Sequence, residues 1–131
     1  MKNLITLKKT LDNSDAFGEF NAINVDYIAE GTATVIADIT PMSYETKYIS
    51  NGIIAYIAER AAVCAALSLC EKCYCASSVF NVIERTESAA FLRAEATKVH
   101  HGKSTAVYET TVHDNENNLI AKGTYTIVIT E

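Results

Sequence analysis

Apolar residues along this chain follow two different periods. In "FNAINVDYIAEGTATVIADITP", Thr32, Thr34, Ile36 and Asp38 alternate with Ala33, Val35, Ala37 and Ile39. This stretch is rich in β-branched residues and predicts two strands joined at Glu30-Gly31. Pro41 ends the second strand, and residues 42–50 read as a polar, Tyr-containing connection. From Ile53 to about Leu69 the pattern changes. There is no Gly or Pro, Ala and Leu dominate, and only Glu59, Arg60 and Ser68 are clearly polar. This predicts a central helix over about 52–70, apolar nearly all round. Such a helix is buried or spans a membrane, and its charged centre and many alanines argue against the membrane. A sheet must then wrap around it.

The remainder supplies that sheet. "CASSVFNVIE", "AAFLRAEATKVHH", "STAVYETTVHD" and "LIAKGTYTIVITE" read as strands. "HGK" and "DNENN" supply the turns. At the other end, Leu4, Leu7 and Leu11 fall on one face of a short amphipathic helix over about 2–12. The order is short helix, two strands, long helix, four strands. It predicts a single α+β domain over 1–131, a curved antiparallel sheet enclosing one helix.

Composition adds exclusions. The chain has 131 residues, 49% of them hydrophobic, which allows one domain with a real core. The net charge is −5 with no basic cluster, so nucleic acid is not the expected partner. "MKNLITLKKTLDNSD" interleaves lysines with its apolar residues and shows no signal-peptide pattern, so a cytoplasmic location is expected. Cys64, Cys70, Cys73 and Cys75 are then expected as reduced packing thiols at a helix-to-strand junction. "CEKCYC" holds one CxxC and no second pair, so no metal site is expected.

Glu59 is the residue that needs an explanation. A carboxylate in so apolar a segment costs free energy unless something pairs with it or uses it. Arg60 is its neighbour, about 100° away around a helix, and does not face it. The helix start adds a second feature. Ser50 or Asn51 can cap it, and free backbone N–H groups at the positive end of the helix dipole suit a developing oxyanion. Asn51 and Glu59 are eight residues apart, roughly 12 Å along a helix. One reacting atom reaches both only if two copies of the helix run antiparallel. A homodimer with composite sites follows, with Glu59 shielded by the fold and near the partner's helix start.

The chain resembles the hotdog-fold acyl-CoA thioesterases, in particular the phenylacetate-pathway, PaaI-like type. That type opens its central helix with His-Gly-Gly and carries Asp or Glu seven residues after the second Gly. "SNGIIAYIAE" keeps that Gly as Gly52 and sets Glu59 at that spacing, with Ser50 and Asn51 in place of His and the first Gly. "AEATKVHHGKSTAVYETTVHDNENNLIAKGTYTI" is similar to the later strands and turns of the family. The apolar-Leu-Arg-Pro segment on its third strand stands here as "IERT", residues 83–86. The similarity spans roughly residues 17–130.

The resemblance implies thioester hydrolysis, with the thioester oxygen at the N–H of Asn51 or Gly52. Glu59 acts as general base on water or as nucleophile. A hydroxyl from Ser77 or Ser78 would help hold the water, as in some relatives. Gly102, Lys103 and Ser104 in "HHGKS", with Arg85, become candidates for the nucleotide of CoA. CoA enters as part of the substrate, so no separate cofactor is implied, and the assembly is a homodimer extended to a homotetramer. His100 and His101 read as surface residues. Two other readings stand beside this one. One is a non-catalytic protein binding acyl-CoA or another acyl ligand. The other is a hydratase or dehydratase, disfavoured because the stretch 42–70 contains no His.

Overall fold

The computed structural model describes residues 3–131. Leu4–Asn13 (α1) and Ala16–Phe20 (α2) precede two strands, Ile23–Ala29 (β1) and Thr32–Asp38 (β2). A 3-10 turn at Pro41–Ser43 and a minimal hairpin, Tyr44–Glu45 (β3) with Tyr48–Ile49 (β4), lead into Asn51–Leu67 (α3). Four long strands follow: Cys73–Val82 (β5), Phe91–His101 (β6), Thr105–Asp114 (β7) and Leu119–Ile129 (β8). The main sheet is antiparallel, in the order β1-β2-β6-β7-β8-β5. The expected α+β architecture, one long helix against a large antiparallel sheet, is what forms.

Small residues on both surfaces bring helix and sheet close. From α3, Ile54, Ile57, Ala58, Ala61, Ala62, Ala65 and Ala66 are buried. They meet a sheet face that includes Val35, Ala37, Leu92, Ala94 and Val112. The core is close-packed, so cutting Ile57 to Ala would cost about 2–5 kcal/mol. One polar tie crosses the layer: the buried Thr110 Oγ1 donates to the Ala58 carbonyl at 3.0 Å.

Element bounds differ from the expected ones where capping decides them. α3 starts at Asn51 because the Ser50 side chain caps it. It stops at Leu67, short of 70, because Ser68 takes over there. Ser68 Oγ donates to the Ala65 carbonyl at 2.6 Å and accepts from the Gly31 N–H at 2.8 Å. α1 runs from Leu4, and the expected start at Lys2 lies outside the described residues. The strand reading began at Phe20, but Asp15 caps a short helix there and Ala22, at φ +57°, turns the chain into β1. Residues 42–50 carry more structure than expected, because the Thr40 and Ser43 side chains close a capping box on the 3-10 turn.

Candidate active site

The start of α3 is open. Asn51 and Gly52 are both exposed. The Ser50 N–H is tied back to the Ser43 carbonyl at 2.7 Å, which fixes where the helix begins. Ser50 Oγ accepts from the Gly52 N–H at 3.1 Å, while the Asn51 N–H has no partner among the described residues. Of the two backbone donors expected here, Asn51 is the one left for an oxyanion.

Glu59 is exposed. The fold of one chain therefore does not shield it, contrary to the expectation, because the sheet covers only one side of α3. Glu59 lines a cavity of about 360 Å³ with Tyr56, Arg60 and Val63 of α3 and Cys73, Tyr74 and Cys75 of β5. The Cys75 thiol shares this cavity wall with Glu59 and donates to the Ser77 carbonyl at 3.4 Å. Burial first, then the Glu59 charge, pushes that thiol up to about 11. The Tyr125 phenol is raised too, by burial first and then by Glu59 and Cys75.

Arg60 lines the same cavity but makes its polar contacts with the N-terminal helices. Its Nη2 donates to the Leu11 carbonyl at 2.9 Å, and its Nε lies 3.6 Å from Asp15 Oδ2. Asp15 also accepts from the Tyr56 hydroxyl and the Gly18 N–H. Arg60 thus clamps α1 and α2 onto α3 and leaves Glu59 unpaired by it.

The nucleotide candidates fall at opposite ends of the chain's fold. Arg85 sits in the loop after β5, not on a strand, because the pairing of β5 with β8 ends at Val82. The Thr86 carbonyl accepts from the Ile49 N–H at 2.9 Å, which holds this loop beside the helix start. There the Arg85 guanidinium lies 4.1 Å from the Tyr48 ring centroid, and the Lys47 ammonium 5.1 Å from it. Gly102, Lys103 and Ser104 form the β6–β7 turn, closed by the Gly102 N–H donating to the Thr105 carbonyl at 2.9 Å. The Lys98 N–H donates to the Gly31 carbonyl and the Gly31 N–H to Ser68, so this turn lies near the end of α3. α3 has 17 residues, about 25 Å, between that end and Asn51. Ser77 is exposed on β5.

Solved structures share this architecture. The PaaI protein of the Escherichia coli phenylacetic acid degradation operon superposes with a TM-score of 0.91 at 18% identity, covering 98% of this chain and 94% of its own. A Haemophilus influenzae thioesterase superposes at 0.86 and 17% identity, over 100% and 92% of the two chains. A Streptococcus mutans protein, solved bound to acetyl-CoA, superposes at 0.77 and 19% identity, over 82% and 88%. The fold is the hotdog fold. No protein-family model and no curated protein sequence matches the chain.

Within this hotdog, Ser50, Asn51, Gly52 and Arg85 gather at one end, Glu59 lies two helical turns on, and Gly102, Lys103 and Ser104 stand at the far end. Cys75 was missed as a neighbour of Glu59 in this cavity, because it reads in sequence as a packing thiol. No group of His, Cys, Asp and Glu among the described residues is arranged to hold a metal ion. No described helix is long and apolar enough to cross a membrane.

Proposed function

We propose that this protein is an acyl-CoA thioesterase that works as a homodimer with two composite sites. The observation that carries the reading is the pairing of an unpartnered Asn51 N–H with a cavity-lining Glu59, both on parts of α3 that the sheet leaves open. In one chain they are about 12 Å apart. Two helices packed antiparallel bring Asn51 of one copy to Glu59 of the other. The same packing carries the turn at Lys103 toward the partner's helix start, where Arg85 stands.

In this reading the thioester oxygen takes the Asn51 N–H, at the positive end of the α3 dipole. Glu59 of the other copy removes a proton from water, or attacks the carbonyl itself, and CoA leaves as the thiol. Ser50 fixes the helix start in place of the His of PaaI-like proteins. Lys103, Ser104 and the Gly102 backbone, with Arg85, take phosphate oxygens of the nucleotide. The Streptococcus mutans structure with acetyl-CoA supports an acyl-CoA ligand for this fold.

A second reading is a non-catalytic acyl-CoA binder. The observation in its favour is that the Gly52 N–H is occupied by Ser50, which leaves a single free donor. Thiol release, measured across short, long and aromatic acyl-CoA substrates, separates the two. Turnover that disappears in Glu59→Gln is the expected result. Tight acyl-CoA binding with no release by the native protein would establish the binder instead.

A further inference from the structure

The residues that α3 gives to the cavity beside Glu59 form one stripe: Tyr56, Glu59, Arg60 and Val63. Spacings of three and four positions put them on one helix face. Glu59 stands between the two ends of that stripe. Val63 lies toward the C-terminal end of α3, the end near the Lys103 turn. Tyr56 lies on the other side, roughly 4.5 Å back along the helix axis from Glu59.

Tyr56 is held more firmly than its surroundings require. Its hydroxyl donates to Asp15, and its ring packs on Phe17 with centroids 4.4 Å apart. Asp15 caps α2 and Phe17 lies in its first turn. Neither residue lines the cavity, so both hold the phenol from behind. Asp15 is fixed in turn by the Gly18 N–H at 3.0 Å and by Arg60, which is tied to the Leu11 carbonyl. Across the cavity, Tyr74 is more than half exposed. A wall sets the size of a ligand only where packing and hydrogen bonds lock it. Here that wall is Tyr56.

We propose that Tyr56 is a specificity-determining residue: its ring, braced by α2, is the end wall for the acyl group and sets the longest apolar chain the site accepts. This rests on the acyl-CoA reading above. With the nucleotide at the Lys103 turn and the thioester carbon at Glu59, the pantetheine arm takes the Val63 side. The acyl group is left the Tyr56 side. The Tyr56 hydroxyl and the Arg60 charge are both engaged by Asp15, so the group it meets there is the carbon of the ring. The N-terminal helices thus act on substrate choice through Tyr56 without touching the substrate.

S-alkyl-CoA thioethers, from ethyl to dodecyl, resist hydrolysis, so calorimetric titration of the whole protein with this series reads the wall without turnover. For the native protein, affinity should rise with chain length and then break where the chain meets Tyr56. Tyr56→Ala should move the break to longer chains. It should bind the first chain that the native protein rejects at least about tenfold more tightly. Tyr56→Trp, with its larger ring, should move the break to shorter chains. Phe17→Ala lies outside the cavity and should shift it in the same direction as Tyr56→Ala by a smaller step. If Tyr56→Ala fails to fold, these last two variants decide. The kcat/KM profile over the matching acyl-CoA substrates should shift in step. A break point unmoved by these substitutions, a uniform loss of affinity along the series, or a native series with no break overturns the wall and leaves the acyl-CoA reading standing. If the native protein binds no thioether and releases no thiol, the acyl-CoA reading falls and the wall falls with it.

Discussion

Glu59 and Arg60 are adjacent in sequence, and the two sides of α3 treat them in opposite ways. On the α1–α2 side, Arg60 is about four-fifths buried and spends its charge on Asp15 and a backbone carbonyl. On the β5 side, Glu59 is exposed, forms no ion pair among the described residues, and shares a cavity wall with Cys75. The first arrangement is an ion pair and a hydrogen bond formed within one chain. The second is open, with a cavity on one side and bulk solvent on the other. A charge paired within its own fold is a fastener, whereas a charge left open on a buried helix is available for chemistry.

That contrast can be broken by experiment. The largest effect is expected at Glu59: Glu59→Gln should keep its unfolding midpoint and lose thioesterase turnover by at least about a hundredfold. Arg60→Ala should do the reverse. It leaves Asp15 without its cation and frees the two N-terminal helices, at a cost of about 2–3 kcal/mol in urea denaturation. Its kcat should stay within a few-fold of native. If both variants lost stability and activity alike, the division between the two sides of α3 would fail.

Smaller effects sharpen the comparison. Ser50→Ala removes the N-cap and should cost about 1 kcal/mol of stability. It should also free the Gly52 N–H, and Ser50→His should raise thioesterase activity if the helix start limits catalysis. The smallest effect is expected at Lys103, whose contact is remote from the reacting carbon. Lys103→Ala should raise KM for acyl-CoA a few-fold, leave kcat nearly unchanged, and have no effect on an acyl-pantetheine substrate. An equal loss with both substrates would remove Lys103 from the nucleotide site.

The sequence alone determined the first helix, the long central helix, the six main strands and their order, and it missed the short α2 and the β3–β4 hairpin. Alternation in Thr32–Asp38 and the unbroken apolar run after Gly52 are local patterns, and each buries the same residues wherever the strand or helix docks. The seven-residue spacing from Gly52 to Glu59 is equally local, so both candidate groups are legible in the chain itself. Only the tertiary structure decided what those groups meet. Whether Arg60 pairs with Glu59 or with Asp15, 45 positions away, depends on how α2 docks. Cys75 shares a cavity wall with Glu59 only because β5 docks beside α3, and β5 carries one extra residue just after it. A bulge changes no residue type and disturbs the alternation by a single position, so it leaves almost no trace in sequence, yet it re-aims the side chains beside it.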